Sequence, residues 1–158
     1  MTKKLNILMF SCEYDKALAA FILADSARAI DMEVSMFFAF WGLFLLRTPD
    51  KLDYKDKTNL EKMFGAVTPK GPDELPLSRM NFSGFGKFML KKMMKDDDAP
   101  TLKGLLEEAH KKGVNFYCCK LSSEVMGIKK DELPYKTKIM TAEDYLNDAL
   151  NSDIQLFI

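Results

Sequence analysis

Apolar residues gather in short unbroken runs, and between the runs they recur every three or four positions. Leu5 to Phe10 is a run of strand length, followed by Leu18, Phe21, Ile22, Ala29 and Ile30 at near-helical spacing within 15–30. Met32 to Phe40 is apolar throughout and partly branched or aromatic, so it reads as a strand buried on both faces that ends at Trp41-Gly42. Gly42 breaks this run and leaves a helical turn over Leu43 to Leu46 before Pro49. Further on, Leu102 to Lys112 has helix spacing and closes on Gly113, and Val114 to Cys118 is the next strand. Thr137 to Met140 predicts a short strand, Ala142 to Leu150 a helix with Thr141 as N-cap, and Ile154 to Ile158 a last strand.

Apolar strands alternating with amphipathic helices predict a parallel sheet, because parallel neighbours need long crossovers and helices supply them. The expected fold is therefore α/β and three-layered, with helices on both faces, in a single domain spanning 1–158. Residues 49–100 are too long for an ordinary connection and form an insert. Within it, Gly65 to Pro76 carries two glycines and three prolines and reads as a mobile loop. Phe85, Phe88, Met89 and Met93 instead predict an amphipathic helix at about Gly84 to Lys95, whose stripe suits core or subunit contact better than a substrate pocket.

Lysine plus arginine and aspartate plus glutamate each number 23, so no basic excess exists to hold nucleic acid, and the lysines at 91, 92 and 95 are answered by Asp96 to Asp98. Glu13, Asp15 and Lys16 interrupt the first apolar stretch before a signal core could form, so it reads as a strand. Val34 to Leu46 falls short of the ~20 residues a bilayer-crossing helix needs, and no membrane span is expected. Three cysteines, two of them adjacent, fit a reducing cytoplasm better than a disulfide framework.

The chemistry concentrates on Cys119. It falls where the Val114 to Cys118 strand stops and a helix begins, so backbone amides of Ser122 and Ser123 could face an anionic sulfur, and the thiolate is the attacking species. Glu124 opposes that charge but could cap the helix or pass a proton. Strand alternation turns Cys118 into a helix-sheet layer. Cys12 follows the first strand and is an accessory-thiol candidate on the same rim, or simply a packing residue. The corner Phe40-Trp41-Gly42 and the Asn81 to Gly86 segment, with Asn81 and Gly84 at its helix entry, are candidate pocket walls. The single histidine, His110, sits among charged residues on a solvated helix, and with no Cys-x-x-Cys pair there is no metal site to expect and no cofactor to require.

The strings Asp15-Lys16-Ala17, Phe37-Phe38-Ala39-Phe40-Trp41-Gly42-Leu43 and Met80-Asn81-Phe82, with Cys119 followed by Val125-Met126-Gly127-Ile128, resemble the DsrE/DsrF-like proteins, in particular their larger branch with an insert. The resemblance runs from about Leu5 to Leu150. It implies a cytoplasmic sulfur-relay protein of flavodoxin-like fold, commonly a homo-oligomer. Such a protein carries sulfane sulfur as a persulfide or thiosulfonate on the cysteine matching Cys119 and exchanges it with a small sulfur-carrier protein or a low-molecular-weight donor. Close relatives often have Asp where Glu124 stands, an apolar residue where Ser123 stands, and a small residue at Cys12. The competing reading is a non-catalytic module whose Phe and Met surface joins subunits or docks a partner.

Overall fold

Strand β2 (Glu33–Phe38) lies at the centre of the sheet, and every residue after Glu33 is buried, as a strand covered on both faces must be. The computed structural model describes all residues 1–158. The five strands, β1 (Lys4–Met9), β2, β3 (Asn115–Cys119), β4 (Lys138–Met140) and β5 (Ile154–Phe157), stand in the order β4-β3-β2-β1-β5. All four pairings are parallel, with Ile7 beside Met36 and Phe38 beside Cys118. All strand C-termini therefore share one rim.

Helices α1 (Tyr14–Ala29) and α4 (Leu102–Lys111) pack on each other over one face of the sheet. Leu5, Ile7, Met9, Val34, Met36, Phe38, Phe116 and Cys118 point into that layer and form the main core. The buried side of α1 is made of Tyr14, Ala17, Leu18, Ala20, Phe21, Ala24 and Ala27, whereas Ile22 and Ile30, expected on the apolar stripe, face solvent. Alanines take the inner positions because helix and sheet approach closely there. On the other face lies α6 (Ala142–Leu150), begun by a reciprocal cap between Thr141 and Asp144 and joined to the sheet by Tyr145 stacked on Phe37 at 4.7 Å. The expected three-layer α/β architecture is present.

The insert holds two helices. The expected second one is α3 (Phe85–Asp96). The first, α2 (Asn59–Val67), starts from a capping box between Thr58 and Glu61 and covers part of the segment expected to be a mobile loop. The rest of that loop is tied down. Leu75 is fully buried, Tyr14 N–H donates to the Pro76 carbonyl at 2.8 Å, and Asp15 accepts from the Ser78 amide at 2.8 Å. Arg47, 3% exposed, donates to Thr68 Oγ1 and to the carbonyls of Gly65 and Pro69. Ion pairs Lys57–Glu132 and Lys129–Asp53 strap the start of the insert to the chain beyond β3. No helix is long and apolar enough to cross a membrane.

Candidate functional site

Cys119 is the last residue of β3 and the N-cap of α5 (Lys120–Val125), with extended backbone dihedrals of −62° and 120°. Alternation along β3 sends Cys118 to the α1/α4 core and Cys119 to the α6 face. There it packs with Phe37 and Ala39, and Leu8, Tyr117, Met140 and Tyr145 close around them. Its expected exposure at the turn is reduced to 8%, because Met140 on the neighbouring strand β4 and Tyr145 on the overlying α6 close around it. The expected amide cradle is absent as well. The Cys119 side chain accepts no capping hydrogen bond, Ser122 is fully buried with its Oγ unpartnered, and Ser123 Oγ donates to the Lys120 carbonyl at 2.8 Å. Glu124 lies in the last turn of this six-residue helix and is exposed, so it neither caps the N-terminus nor faces the sulfur.

The other two thiols are held in the protonated form. Burial pushes Cys118 up to about 12 against the opposing effect of a hydrogen bond with Ser123. Burial and the Glu13 carboxylate push Cys12 up to about 12, although Arg47 pulls the other way. Cys12 lines an open cleft of about 530 Å³ with Phe10, Glu13, Lys16, Trp41 and Val67, and its N–H donates to Glu13 Oε2 at 2.9 Å. It shares the rim with Cys119, as expected, yet packs toward the main core while Cys119 faces α6. With β2 between them, strands β1 and β3 stand roughly 10 Å apart, and Cys12 lies beyond the end of β1 in the loop before α1.

Phe40 and Trp41 are partly exposed and sit on a 3-10 turn, Phe40–Leu46, that contacts α5. Trp41 packs on Phe44 and Phe64, toward the Cys12 cleft. Gly42 has a steric role, since a Cβ there would lie 2.0 Å from the Met9 carbonyl oxygen. Asn81 and Gly84 are not gathered around Cys119. Asn81 Oδ1 accepts from the Leu77 amide at 3.1 Å, and Gly84 supplies a φ of 97° at the entry to α3, within a segment anchored to the first turn of α1. His110 is half-buried against Tyr135, with ring centres 5.0 Å apart, and is less solvated than its charged neighbours suggest.

One part of the site escapes simple pattern reading. Asp148 on α6 accepts from Lys4 Nζ at 2.5 Å, Asn6 Nδ2 at 2.6 Å and Ser35 Oγ at 2.6 Å, pinning the helix that covers Cys119. Burial pushes the Asp148 carboxyl up, but these three donors outweigh it and leave the group below its ordinary value. The available signal was Asn6 and Ser35, two polar residues inside otherwise apolar strands.

Comparison with known proteins adds four findings. The sequence model of the DsrE/DsrF/DrsH-like family matches residues 1–157. The chain is 41% identical over 157 residues to the uncharacterized protein YrkE of Bacillus subtilis (strain 168), covering 99% of this chain and 98% of that one. It is 29% identical over 160 residues to the sulfur carrier protein DsrE2 of Allochromatium vinosum, with coverage of 99% and 98%. The crystal structure of the ychN protein from E. coli superposes with a TM-score of 0.57 at 12% identity, over 99% of this chain and 100% of that one, which is a likeness of fold.

Proposed function

This chain belongs to the DsrE/DsrF/DrsH-like family, and from that premise we propose that it carries sulfane sulfur on Cys119 within a sulfur relay. The observation that carries the reading is placement: Cys119 ends β3 at the rim shared by all strand C-termini, on the α6 face among Phe37, Tyr117, Met140 and Tyr145, while Cys118 points into the main core. Similarity over the full length to a protein named as a sulfur carrier supports it.

In the proposed step the Cys119 thiolate attacks the outer sulfur of a donor persulfide, R–S–SH. A new S–S bond forms to Cys119, the donor S–S bond breaks, and R–S⁻ leaves with the electron pair, so no net oxidation occurs. An acceptor thiolate then takes the outer sulfur by the same exchange. Phe37, Tyr117, Met140 and Tyr145 around the sulfur keep water and oxidants from the loaded persulfide. The partners are a small sulfur-carrier protein or a low-molecular-weight donor in the cytoplasm, and the protein works as a homo-oligomer. The residues suffice for this exchange without metal or organic cofactor.

Sulfur transfer tests the reading. The protein is exposed to a persulfide donor, freed of it, and mixed with an acceptor thiol. Transfer is expected from the native protein and from Cys118→Ser, and not from Cys119→Ser. Equal transfer by Cys119→Ser, or none by the native chain, would leave the non-catalytic module as the better description.

A further inference from the structure

Strand β5 ends the sheet on one side, with no strand beyond it. The Ile158 amide donates to the Leu8 carbonyl at 3.0 Å, and the Ile158 carbonyl accepts from the Phe10 amide at 2.7 Å, so Ile158 turns its backbone groups toward β1. Alternation along the strand turns Ile154 and Leu156 the same way and leaves the N–H and C=O of Gln155 and Phe157 pointing away from the sheet. Backbone groups left open in this way are a template for another strand. The usual guards against pairing are missing, since Ile154-Gln155-Leu156-Phe157-Ile158 carries no charge and no proline. Ile154 and Phe157 are 47% and 71% exposed, while Leu156 packs against the main core and keeps the strand in place.

The opposite edge is guarded. Strand β4 has three residues, and Lys136 and Lys138 lie exposed at its start. Pairing β5 with β4 of a next copy would also build an open filament, whereas β5 against a second β5 closes on itself. The hydrogen-bond pattern fixes the register of that closure. With a two-fold axis at Leu156, Gln155 stands opposite the second copy's Phe157, and each such pair exchanges two N–H to C=O bonds, so every outward group of both residues is used. An axis at Phe157 leaves Gln155 without a partner, and an axis at Gln155 sets the Phe157 carbonyl against the Asp153 amide, which already donates to the Lys4 carbonyl. The same register lays the exposed Phe157 ring, already 5.7 Å from Phe10 between ring centres, beside the second copy's Gln155. No charge lies within 154–158, and Asp153 is answered by Lys3 inside each chain, so two copies meet here without repulsion.

We propose that β5 pairs antiparallel with β5 of a second copy about a two-fold axis at Leu156, joining the two sheets into one continuous sheet. This gives the homo-oligomer of the proposed function a specific contact and rests on that part of the reading. It does not involve Cys119, whose sulfur loading stands or falls separately.

Crosslinking of the full chain reads the register. Facing Gln155 and Phe157 would lie about 5.5 Å apart between Cα atoms, within the span of a disulfide, whereas each residue and its own counterpart would lie beyond about 7 Å, outside it. Mild oxidation of an equal mixture of Gln155→Cys and Phe157→Cys proteins, after subunit exchange, is expected to give several times more covalent dimer than either variant alone. The native chain, with its own cysteines, is the control and should give almost none. Light scattering of the native chain should show a dimer or an assembly built of dimers. Gln155→Lys with Phe157→Lys sets like charges opposite each other and should weaken the association by about tenfold or more. Circular dichroism confirms that these exposed substitutions leave the fold intact, and the double-lysine variant is expected to load sulfur on Cys119 like the native chain. A monomeric native protein, association indifferent to the two lysines, or crosslinking no greater in the mixture than in either variant alone overturns the proposal.

Discussion

Asp148→Ala should loosen the α6 face of the sheet and uncover Cys119. The carboxylate accepts three hydrogen bonds of 2.5 to 2.6 Å, from Lys4, Asn6 and Ser35, and its side chain is 14% exposed. Hydrogen bonds to a charged group are worth about 1.5–3 kcal/mol each in the net, and they are not additive. Removing the acceptor also leaves the Ser35 hydroxyl without an acceptor and Asn6 Nδ2 with only its 3.3 Å bond to Ser35 Oγ, both residues being 1% exposed; Asn6 Oδ1 already has no partner. Allowing for the partial exposure of the pair, the expected loss is about 2–4 kcal/mol, below the range of about 3–5 kcal/mol for breaking a fully buried ion pair from one side. Urea unfolding should show this as a lower midpoint with unchanged slope. Because Tyr145 on the same helix closes over the Cys119 cluster, alkylation of Cys119 by a bulky maleimide should quicken in the folded variant. Acid sharpens the test. The folded-state carboxyl lies below its unfolded value, so its stabilising effect is full above about pH 4 and disappears as pH falls through the folded value. The stability gap between native protein and Asp148→Asn should narrow accordingly. A loss under about 1 kcal/mol, or a gap that stays constant down to acid pH, would show that this network does not hold α6.

Gly42→Ala would place a Cβ 2.0 Å from the Met9 carbonyl oxygen and should cost about 1–3 kcal/mol by denaturant titration, since backbone must yield on both sides. Leu75→Ala removes a fully buried side chain from the insert and should cost about 2–5 kcal/mol, and limited proteolysis should then cut within 65–78. Thr58→Ala breaks the α2 capping box for about 1 kcal/mol, with Thr58→Ser close to native in the same melt. Iodoacetamide should label Cys12 very slowly at neutral pH, with the rate still climbing as pH approaches 12; a plateau near pH 9 would contradict the burial and Glu13 charge that hold its proton.

The regular half of the fold was legible because local signals and tertiary demands agree there. Each expected strand appears within a residue or two of its place, and Gly113 and Thr141 end and begin their helices as their types require. The α1 stripe was misread because periodicity favours large apolar residues, while the close approach to sheet and α4 selects Ala20, Ala24 and Ala27 and turns Ile22 outward. In the insert, glycine and proline content argued for mobility. Long-range ties from Arg47, Leu75 and Asp15, to which composition is blind, decided otherwise. The Thr58-x-x-Glu61 signal of α2 was readable and was missed. At the site, alternation correctly separated Cys118 from Cys119, but the covering of Cys119 depends on β4 pairing beside β3 and α6 lying over that face, an arrangement set by strand order. Asn81 and Gly84 looked like pocket residues for want of that same order, and they instead build the turn into α3.

The central claim is that one sulfur atom, on Cys119, holds the cargo. Peptide-level mass spectrometry after brief exposure of the folded protein to a persulfide donor addresses it directly, with all three cysteine peptides followed together. One added sulfur on the Cys119 position, removed by reductant and absent from Cys12 and Cys118, is the expected result. Loading that settles on Cys12 or Cys118, or an unmodified Cys119 after donor exposure, would contradict it.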